Sequence, residues 1–223
     1  MKVYVATCDK YDHLLQGFAR QFNKYWSGNQ IVDVLGFRQP SALPDNFVFH
    51  QLEPVETQSW TTNLQRFFAR QQEPYFTFLL EDYWLIRGVD QGKVSAMEEF
   101  VKAGAVKGDL SKNTDHFAHT DLGNGYVKAT PAAKYRTSTQ PCIWSRQYML
   151  SLLTPGLNPW QFELQSGSAI SVGDIIGSRE QIYEFANIMF KGSPAGDMIN
   201  KLNAEDRQAL RLMRAFDGLS GQW

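Results

Sequence analysis

Cysteine is nearly absent: Cys8 and Cys142 are the only two in 223 residues, each set in an apolar stretch with no neighbour that would make a C-x-x-C pair. That usage excludes a disulfide scaffold and a cysteine zinc site. Long hydrophobic runs are also missing. The longest, Tyr75–Leu80, falls far short of the roughly 20 residues of a spanning helix, and the N-terminus shows neither region of a signal peptide. A cytoplasmic protein with no membrane span is the expectation. Charge of one sign is lacking too, because 22 Lys and Arg against 23 Asp and Glu leave a net charge of -1. Nothing in that total advertises a polyanionic partner. Neither G-x-G-x-x-G nor G-x-x-x-x-G-K-[ST] occurs, which removes the usual dinucleotide and P-loop phosphate cradles.

What is present is the composition of a folded protein, with 43% hydrophobic, 13% aromatic and 20% charged residues. The length allows one large domain or two small ones. With no internal repeat or low-complexity linker, one domain over 1–223 with an elaborated C-terminal half is expected.

Lys2–Thr7 reads as a strand that stops at polar Thr7-Cys8-Asp9-Lys10. From Asp12, an expected N-cap, the apolar residues Leu15, Phe18, Phe22 and Tyr25 recur at helical spacing until Ser27-Gly28-Asn29. Strands follow over Ile31–Phe37 and Phe47–Leu52, and Ser59 is placed to cap a helix with Trp60, Leu64, Phe67 and Phe68 on its buried face. Tyr75–Leu80 is continuously apolar, as a strand covered on both faces should be, and ends in Glu81-Asp82-Tyr83. A helix over Asp90–Lys102 and a strand within Ala105–Leu110 continue the alternation, which implies an α/β fold with a mostly parallel sheet.

Beyond residue 112 the pattern changes. His116–Thr120 and Tyr126–Thr130 flank a Gly123-Asn124-Gly125 turn, an antiparallel hairpin excursion. Residues 107–150 carry a local charge excess of +3, which fits a solvated face as well as an acidic acceptor. Helices are expected from Ser145 to Leu153 and from Ala204 to Phe216, while Ile182–Phe190 fits helix or strand equally.

Ligands of open α/β sheets bind at the carboxyl ends of strands, which singles out Thr7, Asp9, Glu81 and Asp82. Paired carboxylates there hold a divalent cation or accept from ribose hydroxyls, or else serve a helix N-terminus. Trp60, Trp144 and Trp160 are candidates to stack on a base or a sugar, with Trp60 preferred, although aromatics at helical spacing usually fill cores. His116 and His119 read as surface or acceptor-contact residues.

The segments VYVATCDKYDHLLQGFARQFNKYW, YFTFLLEDYWLIRGVD, STQPCIWSRQYMLSLL and NPWQFE resemble a group of small glycosyltransferases with the GT-A nucleotide-diphospho-sugar transferase fold, over roughly residues 1–165. The resemblance implies a Rossmann-like mixed sheet flanked by helices, with 1–111 binding the nucleotide-sugar and 112–223 forming the acceptor side. It assigns Thr7, Asp9 and Tyr11 to the donor's base and ribose; Trp60, at the start of a helix that follows a strand end, and Lys191 are further candidate donor contacts. Glu81-Asp82-Tyr83 takes the place of an Asp-x-Asp element that grips ribose and a Mn or Mg ion. Tyr83 stands where the second Asp belongs, so a metal resting on Asp82 is expected to be weak or dispensable, and Lys134, Arg136 or Lys191 would then neutralise the leaving diphosphate. Glu163 resembles the general base of an inverting transfer. The implied donor is a UDP-sugar, and the acceptor hydroxyl belongs to a surface glycan or to a hydroxylated base in modified phage DNA. A non-catalytic nucleotide-sugar-binding module is the alternative. A nucleotidyltransferase ranks lower, because the loop after the first strand has no glycine.

Overall fold

The β-branched run at the N-terminus and the apolar YFTFLL segment both become strands of one sheet. The computed structural model describes residues 1–53, 60–112, 118–131, 133, 135–169, 173–190 and 193–213. In chain order these form β1 (Lys2–Ala6), α1 (Leu15–Tyr25), β2 (Val32–Gly36), β3 (Phe47–Gln51), α2 (Trp60–Ala69), β4 (Tyr75–Leu80) and β5 (Tyr83–Leu85). There follow α3 (Gln91–Lys102), β6 (Lys107–Asp109), β7 (His119–Gly123), β8 (Tyr126–Ala129), β9 (Cys142–Ser145), α4 (Arg146–Leu152) and α5 (Pro159–Ala169). The chain ends through β10 (Ile175–Ser178), β11 (Phe185–Asn187), β12 (Met189–Phe190), β13 (Ser193–Pro194), α6 (Gly196–Ile199) and α7 (Ala204–Leu212).

Among the described residues, nine strands pair in the order β3-β2-β1-β4-β9-β6-β10-β8-β7. The fold is α/β, with a mixed sheet mostly parallel at its core. β2 runs parallel to β3 with Val32 opposite Phe47, and β6 runs parallel to β10. β9 is antiparallel to both its neighbours, with Phe76 opposite Trp144 and Lys107 opposite the same Trp144. The chain divides into two compact units, one of Met1–Val3, Leu52–Phe78 and Asp90–Ile182, the other of Tyr4–Gln51, Leu79–Val89 and residues from Tyr183 on.

In the second unit α1 sets Phe18 and Phe22 edge-on to Phe47 of β3, at 6.3 and 6.0 Å between ring centroids. Gly17 of α1 faces the indole of Trp84 so closely that a Cβ would sit 2.2 Å from the ring, so only glycine fits there. β11 pairs antiparallel with β5, Asn187 opposite Tyr83. In the first unit Phe68 of α2 stacks on Phe76 of β4 at 4.3 Å, and Val94, Met97 and Val101 bury the inner face of α3. Asp90 caps α3 by accepting from the amides of Gly92 and Lys93, at 2.9 and 3.2 Å. The expected hairpin is β7 and β8, turned at Asn124, whose φ of 52° is one that asparagine tolerates.

Several boundaries differ from expectation. Asp12 does not cap α1: a single 3-10 turn, Asp12–Leu14, leads into that helix, and the Asp12 carboxylate pairs with Arg38 at 3.1 Å instead. Cys142–Ser145 precedes the expected helix as a buried strand. The ambiguous Ile182–Phe190 stretch resolves into β11 and β12, because Ala186 packs into the interior while Phe185 and Asn187 pair with β5. Ser59 and His116 lie outside the described residues, as does the end of the expected last helix beyond Met213.

Candidate donor site and candidate base

β1 and β4 both deliver polar residues at their carboxyl ends, in the second unit. The Thr7 amide donates to Leu35 O at 2.9 Å, holding the chain beside β2 after the last β1 residue. Gly36 makes room for Thr7, since a Cβ there would lie 2.9 Å from Thr7 Cγ2. The chain then turns, with the Tyr11 amide donating to Cys8 O at 2.9 Å, leaving Asp9 exposed and Tyr11 half-buried.

Glu81 is buried, and it receives hydrogen bonds from the Thr7 hydroxyl and the Cys8 amide. Burial first, then the charge of Asp82, pushes its carboxyl well above the usual range, against the opposing pull of its own amide and of the Thr7 and Cys8 bonds. Glu81 therefore holds a proton more tightly than an ordinary carboxylate beside the half-buried Asp82. The turn carrying both is held by its main chain: Trp84 Nε1 donates to Glu81 O at 3.0 Å, and the Ile188 amide to Asp82 O at 2.8 Å. Thr7, Glu81 and Asp82 are thus brought together, with Asp9 and Tyr11 in the adjoining turn.

Tyr83 does not stand in a loop as a substitute ligand. It is in β5, 8% exposed, with its ring 4.7 Å from that of Phe185. Cys8, next to Glu81, is a thiol, because burial and then Glu81 raise its pKa above the ordinary value despite opposing amides of Lys10 and Tyr11. A thiolate nucleophile is not what this turn provides.

Trp60 and Glu163 belong to the first unit. Trp60 packs edge-on to Phe78 at 6.1 Å and to Phe162 at 5.5 Å. Glu163 follows Phe162 on α5, half-buried, and its Oε1 accepts from the Thr139 amide at 2.5 Å and the Thr139 hydroxyl at 2.7 Å. The Thr137 hydroxyl donates to Glu163 O at 3.0 Å. Lys191 and Lys134 lie outside the described residues.

Behind Thr139 is a buried polar cluster that the sequence did not advertise. Lys107, fully buried, lies 2.8 Å from Asp109 Oδ1, donates to Ser138 O at 2.9 Å and stands 4.9 Å from the centre of the Trp144 ring. Burial pulls its pKa down, but Asp109 and the other neighbouring acids outweigh that, and the net displacement is upward. Arg136 donates to Thr130 O at 2.8 Å and Gly173 O at 3.0 Å, and is 3% exposed. That guanidinium is committed to main-chain carbonyls, which corrects the expectation that it neutralises a leaving diphosphate. Cys142 is likewise inert, its thiol pushed up to about 12 by burial.

Among the described residues no group of three or more His, Cys, Asp and Glu side chains gathers as a metal centre. Glu81 and Asp82 offer hard oxygens on adjoining residues, a pair that fits a divalent cation only if its other ligands come from phosphate and water.

The fold is GT-A-like, an α/β mixed sheet flanked by helices. No protein-family model and no curated protein matches the sequence. Among solved structures the chain is similar to residues 1–349 of S. aureus TarS, with 10% identity, a TM-score of 0.53, and coverage of 82% of this chain and 59% of that one. It is similar to the mannosyltransferase PcManGT from Pyrobaculum calidifontis in complex with GDP-Man and Mn2+, at 11% identity, TM-score 0.53, covering 96% and 62%. A cytidylyltransferase from Leptospira borgpetersenii is similar at 7% identity and TM-score 0.52, over 100% and 98% of the two chains. The chain thus spans less than two thirds of TarS 1–349 and of the mannosyltransferase. No helix among the described residues is long and apolar enough to cross a membrane.

Proposed function

We propose that the protein is a glycosyltransferase that moves a sugar from a nucleoside-diphosphate donor, a UDP-sugar, to an acceptor hydroxyl with inversion. The observation that carries this reading is the joining of the ends of β1 and β4 by the bonds of Thr7 and Cys8 to the Glu81 carboxyl, with the Asp82 carboxylate next to it. A mannosyltransferase of the same fold holds GDP-Man with Mn2+, which supports a sugar donor over a bare nucleotide. In this reading Thr7, Asp9 and Tyr11 take the base and ribose, Glu81 and Asp82 the ribose and diphosphate side, and Lys191 the diphosphate charge. A Mn or Mg ion, when bound by Asp82 with Glu81 beside it, supplies charge neutralisation for the departing diphosphate.

Glu163 is the general base. Its carboxylate takes the acceptor hydroxyl proton as the acceptor oxygen bonds the anomeric carbon and the bond to the diphosphate breaks. Thr139 fixes that carboxylate through Oε1. The acceptor is a glycan or a hydroxylated base.

The test is calorimetric binding and turnover of UDP-, GDP-, CMP- and TDP-sugars, with and without Mn. Binding and hydrolysis or transfer of a UDP-sugar are expected; a chain that binds none of them is no glycosyltransferase. The near-complete overlap with a cytidylyltransferase favours nucleotidyl transfer as the second reading. Pyrophosphate release from CTP and a phosphorylated alcohol, with no nucleotide-sugar turnover, would establish that reading instead.

A further inference from the structure

The start of α5 is fixed by a reciprocal cap. The Gln161 amide donates to Asn158 Oδ1 at 2.8 Å, and the Asn158 amide donates to Gln161 Oε1 at 3.0 Å, with Pro159 at the first helical position. Trp160 is therefore displayed from a rigid first turn, and it is 66% exposed. At about 100° per residue, Glu163 lies about 60° to one side of Trp160 around the helix and Leu164 about 40° to the other. Leu164 is 46% exposed, whereas Phe162, on the far side, is fully buried against Trp60 and Trp144. Glu163 thus sits at the border between an interior face and an open aromatic one.

A second segment tied to Glu163 also shows an aromatic to solvent. Tyr135, 50% exposed with a φ of 56°, opens the turn closed by the Ser138 amide on Tyr135 O at 3.0 Å. Thr137 and Thr139 of the same segment donate to Glu163. The other two tryptophans weighed for stacking are engaged elsewhere: Trp144 is fully buried, and Trp60 is packed edge-on to Phe78 and Phe162.

We infer that Trp160, with Tyr135, forms the acceptor subsite, and that the acceptor it takes is a carbohydrate whose pyranose ring lies on the indole. This rests on Glu163 as the base of the proposed transfer. An exposed indole offers a flat apolar surface and an electron-rich face to the C–H side of a sugar ring, and leaves the sugar's hydroxyls turned to the carboxylate one turn along the helix. A ring held there needs no positive groove, in keeping with a net charge of -1, whereas a base within duplex DNA does.

The full chain is titrated by saturation-transfer NMR with cellopentaose, maltopentaose and chitopentaose, and with 5-hydroxymethylcytidine as the competing acceptor type. Transfer to the pyranose C–H protons of at least one saccharide is expected. Trp160→Ala should weaken it by about 3- to 10-fold, with Trp160→Phe retaining most of it. Thermal melts of both variants check folding. Absence of contact with any of the saccharides, equal contact in Trp160→Ala, or a Trp160-dependent contact with the nucleoside alone would each overturn the assignment. The nucleotide-sugar assay reads the transfer hypothesis separately: saccharide binding through Trp160 without donor turnover sinks the transfer reading, and with it the acceptor role, and leaves a carbohydrate-binding site on Trp160.

Discussion

Thr139 gives a single oxygen of Glu163, Oε1, both its amide at 2.5 Å and its hydroxyl at 2.7 Å. One side of the carboxylate is thereby a structural acceptor for a buried loop, and whatever chemistry Glu163 performs falls to the other. Two substitutions separate these duties. Glu163→Gln keeps a carbonyl oxygen for Thr139 and removes the base, so it should fold, bind donor and lose transfer by about 10² to 10⁴. Glu163→Ala also strands the Thr139 amide and should cost about 1–3 kcal/mol in chemical denaturation. Full activity in the Gln variant, or product with the donor's anomeric configuration, would place the base elsewhere.

Asp82→Ala should weaken nucleotide-sugar binding by about tenfold or more while the melting temperature barely moves, because the bonds accepted by Glu81 O and Asp82 O, which hold the turn, use main-chain carbonyls that the substitution leaves in place. Calorimetric titration with a UDP-sugar alongside a thermal melt reads both. An unfolded variant, or one with unchanged affinity, would make the residue structural.

The loop after β1 and the LLED end of β4 are legible in the sequence because a buried apolar strand that stops at carboxylates places them at the ligand-binding edge of an α/β sheet. The gathering of Thr7, Glu81 and Asp82 follows from that placement. The features that sequence conceals depend on distant partners. Gly17 gives no signal until Trp84 is seen against it, and Lys107 in a short strand looks solvated until Asp109, Ser138 and Trp144 surround it. Tyr83 looks like a missing ligand in the linear pattern, yet its place is set by pairing of β5 with β11, a contact about 100 residues apart in sequence that no local pattern encodes.

Metal dependence follows from Tyr83. Its ring is packed on Phe185 and contributes no hard carboxylate oxygen, so Asp82 and Glu81 are the acids at this strand end. Donor turnover should persist in excess EDTA and rise only modestly with Mn or Mg. Activity that vanishes with chelator and returns in proportion to added Mn would show that these two acids suffice to build an obligatory cation site.

The last prediction concerns Asp206, a charged residue in the expected Ala204–Phe216 helix that the structure buries completely. Its Oδ1 accepts from Arg20 at 2.7 Å and Lys24 at 2.6 Å, and its Oδ2 from the Tyr25 hydroxyl at 2.6 Å and Asn203 at 2.9 Å, fastening α7 to α1. Burial alone would raise the carboxyl's pKa, but the bonds from Lys24, Tyr25, Arg20 and Gln21 outweigh it and hold the group well below the usual range. A depressed folded-state pKa contributes stability above the unfolded value of about 3.9, and that contribution fades as pH falls through it toward the folded value. Asp206→Ala, which leaves two cations facing an empty site, should cost about 3 kcal/mol at pH 7. Asp206→Asn should cost less, and its deficit relative to the native chain should shrink steadily between about pH 5 and pH 3 in urea denaturation. A deficit of the same size at both ends of that range would mean that the carboxylate's charge is not what locks α7 in place.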